Sequence, residues 1–479
     1  MPPYQILSPD PYHPVVDQQF DQLELSITSN QYAEFEEEPG NFSIAFIGCA
    51  FNKLIVINPE AIAFPDISIG FTGCFIGKIE VNQVVSTNVR LTFMSCYLDG
   101  KIENNNLEDV AVLNCYIHSA LFLMKLRQVE IMLELKTLNR HRWIKLLRRM
   151  NLSSIKTLRQ QKQSYQVHQC QDVRFTTDFE NTASALGFIF SMNLFFGEEQ
   201  EDKTTRIEKG YFAGLSLNGK ASGKIKINGL RTDAIFLHSF SSQNEATFFG
   251  LRPITPSGVD TKFEIHQYDL DNVWFDTVAF GAYRALAIYR SKLNKTKFTG
   301  CSFPVAYGTY SAVENIHYPD RRSEDYDKDL YEMFLQLKNA LDGTGNGYES
   351  LKFQAFSLRA LNNVNALSRQ DRFLLRLNNL SNSHGLSIVR PFLWFVGLSV
   401  GFYVLYLLSL GRIFNRHAFD LTLIGYYFSF LDITHRNDFL VNKNEFTGWS
   451  LFIDYFAKLI FGYLIYQFIA AFRKYSKKL

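Results

Sequence analysis

The sequence predicts a mixed fold: an N-terminal β-solenoid-like cytoplasmic domain with a basic helical insertion, an αα-hairpin linker and a C-terminal two-helix transmembrane module. Three observations predict this organisation. Cysteine-centred stretches recur between residues 41 and 130, a basic stretch without acidic residues covers 135–170, and two long apolar segments follow residue 388. The first pattern is typical of stacked strands, the second of a helix that attracts anions, and the third of membrane spans.

Composition gives few functional signals for the chain as a whole. The 479 residues include 49 basic and 47 acidic ones, so the formal net charge of +2 does not indicate a nucleic-acid-binding protein. The sequence contains no P-loop, GxSxG or HExxH motif, no CxxC pair and no zinc-like histidine spacing. We therefore expect no enzymatic activity, no metal and no cofactor.

The first 30 residues contain proline and acidic residues and lack an apolar core, so they do not resemble a signal peptide. We therefore expect the N-terminal domain to stay in the cytoplasm. Thiols are normally reduced in that compartment, so we expect the six cysteines to form no disulfides.

The repeat follows an N-terminal segment at 1–40 and occupies 41–134. Its stretches are FIGCAFNKLIV, FTGCFIGKIEV, FMSCYLDGKIE and VLNCYIHSALF, which begin at Phe46, Phe71, Phe93 and Val112, and their cysteines are 25, 22 and 19 residues apart. Apolar alternation around each cysteine is a strand period, and a spacing of about twenty residues suits one coil of a β-solenoid. We expect these cysteines to stack in the core rather than to bind metal or act as nucleophiles.

A second β region is predicted at 171–310. The stretch FTGCSF from Phe298 repeats the FTGC that begins at Phe71, and FDTVAF from Phe275 alternates in a similar way. Residues 214–240 are rich in glycine, serine, asparagine and β-forming residues, which suits strands and turns. The two β regions are therefore interpreted as mainly β structure with one insertion.

The insertion at 135–170 contains nine lysines and arginines and no acidic residue. Trp143 and the apolar residues beside it give it the pattern of an amphipathic helix. Three interpretations remain open: a solvated helix face paired with acidic residues elsewhere in the domain, a nucleotide or nucleic-acid site, and contact with anionic lipid. The residues predicted to bind a ligand are Lys136, Arg140, Arg142, Lys145, Arg148 and Arg149.

A helical hairpin linker is predicted at 320–388. Residues 325–341 have apolar residues at helical spacing, and the glycine-rich stretch GTGNG at 343–347 ends that helix. A second helix is predicted from Tyr348 to about Asn379. The hairpin leads directly to the first apolar segment, so it could transmit movement from the solenoid to the membrane.

The transmembrane module is predicted at 389–472, with spans at 391–410 and 451–472 and a basic tail at 473–479. The first span has twenty residues without a charge, and at about 1.5 Å per residue it matches the hydrocarbon core of a bilayer. An apolar run at 421–431 is too short to cross as a helix, so we expect a re-entrant or interfacial element. Basic residues are concentrated before the first span and after the second, whereas the loop between the spans has balanced charges. Because basic residues favour the cytoplasmic side, this predicts that both termini are cytoplasmic.

Charged residues within and beside the module are candidates for a pore. Asp454 and Lys458 are four residues apart, so they share a helix face and can pair. A structural ion pair and a role in lining a pore both remain open, because charges at such depth usually face a partner or water. The predicted pore-lining residues are Asp420, Asp432, Asp454 and Lys458.

The C-terminal third resembles a known family. The residues that carry the likeness are Tyr331, Leu337, Lys338, Gly347, Tyr348 and Phe353 of the hairpin, RLNNLSNSHGLSIVRP at 376–391, and IYQFIAAFRKY at 465–475. They resemble bacterial pentapeptide-repeat-like membrane proteins with two spans, including channel-like effectors of anti-phage systems such as Hailong. The resemblance implies a pore in the bacterial inner membrane that responds to a nucleotide or single-stranded oligonucleotide.

Two functional hypotheses follow. In the first, the chain is a ligand-gated pore whose cytoplasmic β domain senses an anionic signal; two spans cannot enclose a water path, so several copies, for example a tetramer, would surround it. In the second, the chain is a non-conducting scaffold tethered in the lipid bilayer, and its solenoid binds a protein partner. Ion flux through liposomes separates the two.

Overall fold

The computed structural model describes residues 5–6, 13–26, 42–58, 67–84, 89–103, 107–133, 162–177, 189–197, 204–254, 261–266, 269–289, 291–304, 324–413, 422–436, 439–441 and 445–476. The chain divides into two compact units, Met1–Ile316 and His317–Leu479. The first unit is built of strands and the second of helices.

The β unit consists of parallel strands wound as a solenoid. The strands are β1 (Gln5–Ile6), β2 (Val15–Val16), β3 (Gln19–Ser26), β4 (Phe42–Ile47), β5 (Ala50–Asn58), β6 (Ile67–Thr72), β7 (Phe75–Val84), β8 (Val89–Met94), β9 (Tyr97–Glu103), β10 (Leu107–Leu113), β11 (Tyr116–Met124), β12 (Gln128–Leu133), β13 (Lys162–His168), β14 (Asp172–Thr177), β15 (Ile189–Phe196), β16 (Thr204–Ala221), β17 (Lys224–Ser242), β18 (Ala246–Phe249), β19 (Lys262–His266), β20 (Val273–Asp276), β21 (Ala285–Tyr289) and β22 (Lys297–Thr299).

Most strands pair with the strand two places further along the chain, so each coil contributes one strand to each of two stacks. One stack runs through β4, β6, β8, β10, β12 and β14. The other runs through β5, β7, β9, β11, β13 and β15. The predicted β-solenoid is therefore confirmed.

Strands β16 and β17 are each long enough to belong to both stacks. The first part of β16 pairs with β14 and its second part with β15. Between these parts, Lys209 has a φ of 55°, and Gly229 has a φ of 66° at the corresponding place in β17. A left-handed residue bends the chain there without ending the strand, so one long strand passes the corner of the solenoid.

The core is formed by side chains that repeat from coil to coil. Phe46, Phe71 and Phe93 stack with nearly parallel rings and centroids 5.1 Å apart at each step, and all three are fully buried. Their in-register pairing along β4, β6 and β8 places identical side chains above one another, about one strand spacing apart. The aromatic residue three places before Cys49, Cys74 and Cys96 is thus a core position.

The cysteines lie at the corners between the two stacks. At four corners the preceding residue has a positive φ of 54° to 65°: Gly48, Gly73, Ser95 and Asn114. This residue's N–H donates to a carbonyl of the next coil, as from Gly73 to Met94 at 2.9 Å. Glycine adopts this conformation without strain, which accounts for the Gly-Cys pairs in the sequence. Gly300 makes the same turn before Cys301, so the later FTGC stretch repeats the structure of the earlier one.

The solenoid strands extend beyond the predicted boundaries at two places. Strands β1 to β3 precede residue 41, where the repeat was predicted to begin, and β13 lies within the predicted insertion. β11 pairs with β13 and β12 with β14, so the stacks continue across the insertion. Residues 134–161, which include most of the basic stretch, lie outside the described residues.

The helical unit contains α1 (Glu324–Gly343), α2 (Gly347–Asn363), α3 (Arg369–Asn382), α4 (Val389–Ser409), α5 (Thr422–Leu431) and α6 (Gly448–Ser476). The predicted hairpin corresponds to α1 and α2. The predicted second helix is divided, because Val364 is extended and Ser368 caps a new helix by accepting a hydrogen bond from the Asp371 N–H at 3.1 Å.

Two helices of this unit are long and apolar enough to cross a membrane, by length and composition. They are Val389–Ser409 and Gly448–Phe472, which is most of α6. The 21 residues of the first give about 30 Å of helix, which is the thickness of a bilayer core. Helix α5 has ten residues, so it is too short to span.

Candidate functional site

Helices α4, α5 and α6 pack around an aromatic cluster. Tyr403 and Tyr406 of α4, Phe430 of α5 and Phe461 of α6 are buried in it. Two polar groups of α4 are satisfied by α5: the Ser399 and Tyr427 hydroxyls lie 2.6 Å apart, and the Tyr403 hydroxyl donates to the Leu423 carbonyl. In an apolar environment each such pairing avoids a desolvated polar group, so these bonds fix α5 against α4.

Three ionisable side chains meet where the chain enters α6. The Asp454 Oδ1 lies 2.8 Å from the His435 Nε2, and its Oδ2 lies 3.0 Å from the Lys458 Nζ. Asp454 is 1% exposed, and the side chains of His435 and Lys458 are 5% and 15% exposed. The predicted pairing of Asp454 with Lys458 is present, and His435 is a third member that was missed.

The segment after α5 positions His435 for this contact. The Asp432 Oδ1 accepts hydrogen bonds from the Thr434 N–H at 2.9 Å and from its hydroxyl at 2.7 Å. These bonds lower the pKa of the exposed Asp432 carboxyl. The His435 Nδ1 contacts the Asp432 carbonyl, and the Lys458 Nζ donates to the His435 carbonyl at 3.0 Å. The turn is thereby tied to α6 through both the side chain and the backbone of His435.

The cluster of His435, Asp454 and Lys458 holds two charges of opposite sign close together. Removing charges from water is costly, and their attraction offsets that cost only where geometry is good and further hydrogen bonds are made. Here the Asp454 Oδ1 is hydrogen-bonded to His435, its Oδ2 forms the ion pair with Lys458, and Lys458 also donates to the His435 carbonyl. The cluster can fasten the segment between the two apolar helices.

A second polar set joins α3 to the other half of α6. The Ser381 and Tyr463 hydroxyls lie 3.1 Å apart, and the Asn382 amide donates to Gln467. Tyr463 and Gln467 are four residues apart, so they lie on one face of α6 and meet two consecutive residues of α3. This site was also missed; the polar pair within the apolar segment of α6 is the signal that could have indicated it.

The predicted pore-lining residues have different surroundings. Asp454 and Lys458 are together in the buried cluster, whereas Asp432 is exposed at the end of α5. Asp432 is connected to the cluster through His435. Asp420 lies outside the described residues, as do all of the predicted ligand-binding residues: Lys136, Arg140, Arg142, Lys145, Arg148 and Arg149. Their roles stay predictions.

The cysteines of the solenoid are all buried free thiols. The Cys96 N–H donates to the Cys115 Sγ at 3.4 Å, and the Cys115 Sγ donates to the Phe93 carbonyl at 3.2 Å. Burial raises the pKa of the Cys96 thiol well above its ordinary value, and burial raises the pKa of Cys301 to about 11. Thiols are nucleophiles and metal ligands only when deprotonated, so this environment suits packing.

Comparisons with protein-family models, with curated proteins and with solved structures found no match. The conclusion therefore depends on the chain's own residues. They form a β-solenoid followed by a helical unit, and two of its helices are compatible with association with a membrane.

Proposed function

We propose that the chain is an integral membrane effector that forms a homo-oligomeric ion pathway controlled by its β-solenoid. The signal is a nucleotide or single-stranded oligonucleotide bound by the basic stretch at 135–170. The proposal places both termini in the bacterial cytoplasm and follows the resemblance to channel-like effectors of anti-phage systems.

The observation that carries membrane insertion is the outer surface of α4 and α6. Leu393, Val400 and Leu405 of α4 are 61%, 48% and 49% exposed, and Phe452 and Leu459 of α6 are 58% and 73% exposed. Large apolar side chains on this scale are uncommon on the surface of a soluble helix, and they suit lipid or a neighbouring span. Polar residues of the same helices such as Ser399, Asp454 and Gln467 are buried inside the unit.

The hypothesis of an ion pathway depends on assembly. Two spans cannot enclose a water path, so a pathway requires several copies around an axis. We expect the cluster of His435, Asp454 and Lys458 to lie beside that axis, since ionisable residues in spans commonly mark ion routes. Ligand binding opens the pathway only if the open state binds the ligand more tightly than the closed state does.

Ion flux tests the proposal directly. The full-length chain is reconstituted in phosphatidylcholine vesicles loaded with an ion-sensitive dye, and flux is recorded with and without a single-stranded oligonucleotide. We expect protein-dependent flux that changes when the oligonucleotide is added. A variant with reversed charges at Arg140, Arg142, Lys145, Arg148 and Arg149 should keep basal flux and lose the response. An absence of flux from vesicles that contain inserted oligomer would reject the ion pathway.

One observation favours a second function, a non-conducting scaffold anchored by its spans. Both oxygens of Asp454 are engaged within the chain, and the exposed side chains of α4 and α6 named above are apolar. Helices that only anchor a protein in the membrane need an apolar surface of this kind and no polar lining. In this case the vesicles give no flux, and the solenoid retains a protein partner when the chain is purified from its own cells.

A further inference from the structure

A small cavity lies between α2, α3 and the turn that leads to α4. Its volume is about 220 Å³, and it is lined by one leucine and six polar residues: Arg359, Asn362, Asn363, Arg376, Asn379 and His384. Pockets that enclose drug-sized ligands have volumes of roughly 300–1,000 Å³, so this cavity suits a smaller group. All of its lining residues belong to the helical unit.

The lining of this cavity is positively charged. Arg359 and Arg376 contribute two guanidinium groups, and no carboxylate is among the lining residues. Within the part of the chain that the structure describes, neither arginine forms an ion pair; Arg359 lies over the Phe356 ring, 5.7 Å from its centroid. A guanidinium group presents several N–H donors in a plane, which matches the oxygens of a phosphate.

Buried polar atoms without partners provide an independent indication of a ligand. His384 is 8% exposed, and its Nδ1 has no hydrogen-bond partner among the described residues. The Oδ1 atoms of Asn362 and Asn379 are likewise buried without a described partner. Buried polar groups in folded proteins are nearly always hydrogen-bonded, so three such atoms around one cavity indicate an occupant.

The chemistry of these atoms suits an anion. Burial, followed by the charge of Arg359, lowers the pKa of His384 to about 4, so its ring is neutral near pH 7 and can donate from one nitrogen. Each asparagine amide carries two N–H donors beside its oxygen, and a half-turn about the last side-chain bond presents them to the cavity. With the amides turned in this way, the cavity presents N–H donors and no carboxylate.

We propose that this cavity binds a phosphate group, with Arg359 and Arg376 as its charged ligands and His384 and the asparagines as neutral ones. The phosphate belongs either to a free phosphate-bearing molecule or to a lipid headgroup. Binding of a lipid headgroup rests on the membrane insertion proposed above, because the residues of the cavity precede α4 by only a few positions. Binding of a soluble phosphate-bearing molecule does not depend on membrane insertion.

The bound group would fasten the turn before α4. Ser383 and His384 have φ values of 54° and 56°, so the turn contains two non-glycine residues in the left-handed region. The Arg390 Nη1 in the first turn of α4 donates to the Ser383 hydroxyl at 2.5 Å. A ligand on His384 would thus connect α2 and α3 to the beginning of the first apolar helix.

The test uses the full-length chain in a detergent without phosphate. Inorganic phosphate is titrated calorimetrically, and the melting temperature is recorded in phosphatidylcholine nanodiscs with and without phosphatidic acid. The variant is Arg359→Gln with Arg376→Gln; both side chains are exposed enough for folding to persist. The matched control is Arg369→Gln, which removes one charge from the exposed beginning of α3 outside the cavity.

We expect phosphate to bind the wild type and the control alike, and affinity to fall by about tenfold or more for each arginine removed from the cavity. Binding of inorganic phosphate identifies a free ligand, whereas stabilisation by phosphatidic acid alone identifies a lipid headgroup. The proposal is overturned if the wild type responds to neither probe, or if the double variant responds as the wild type does. Calorimetry in detergent requires neither insertion nor flux, so its outcome is independent of the vesicle experiment.

Discussion

The interior of the solenoid and that of the helical unit are stabilised by different kinds of contact. In the solenoid, the same residue type occupies the same place in successive coils, as Phe46, Phe71 and Phe93 do. In the helical unit, the key contacts are single and join unlike groups, such as Asp454 with His435 and Lys458. A repeated contact distributes stability along the chain, whereas a single contact concentrates it at one place.

The difference also concerns polar groups. The backbone of the solenoid is satisfied by its neighbouring coils, including the corner N–H groups, so its core needs few polar side chains. In the helical unit the backbone is satisfied within each helix, and side chains therefore decide which helices meet. Ser381 with Tyr463 and Asn382 with Gln467 are contacts of this kind.

The largest expected effect is in the aromatic stack. Phe71→Ala removes the middle ring of three and leaves a cavity between two coils, so we expect the free energy of unfolding to fall by about 3–5 kcal/mol. Phe249→Ala, at a 46% exposed position of the same unit, is the matched control and should change it by about 0.5 kcal/mol or less. Urea unfolding in detergent, followed by the β signal in circular dichroism, measures both. Equal losses would show that the stack is not the main source of stability.

A smaller loss is expected in the charged cluster. Asp454→Asn keeps the shape of the side chain but leaves Lys458 buried without a carboxylate, so we expect destabilisation of about 2–3 kcal/mol. Glu445→Gln breaks the exposed pair of Arg412 and Glu445, which should cost below about 1 kcal/mol. Thermal unfolding of the helical signal compares the two variants. If Asp454→Asn were neutral, the single-contact description of this unit would be wrong.

The smallest effects are expected at the corners, and they have opposite signs. Gly73 has a φ of 64° with open space where a Cβ would lie, so Gly73→Ala should destabilise through backbone strain alone, by about 1 kcal/mol. Ser95 has a φ of 54° at the equivalent corner, so Ser95→Gly relieves strain and should stabilise by about 0.5 kcal/mol. Changes of the same sign at both positions would contradict the equivalence of the corners. Urea midpoints of the two variants measure this.

Much of the solenoid could be predicted because its contacts recur at a regular spacing along the sequence. The spacing of the cysteines and of the preceding aromatic residues fixes which residues of successive coils are neighbours, and the glycines mark the turns. The boundaries were less accurate. Strands β1 to β3 lack the cysteine-centred pattern of the repeat and pair with neighbouring coils. Strand β13 precedes Cys170 and belongs to the solenoid through its pairing with β11, although the sequence pattern assigned it to the insertion.

By itself, the sequence determined the stacked β architecture, the two apolar helices and the pairing of Asp454 with Lys458, because each depends on spacing along one element. Only the tertiary structure decided that His435 joins this pair, that Ser381 and Asn382 meet α6, and that two arginines and a buried histidine surround one cavity. These groupings join residues from separate elements, and their distances depend on how helices pack. No periodicity in the chain encodes that packing.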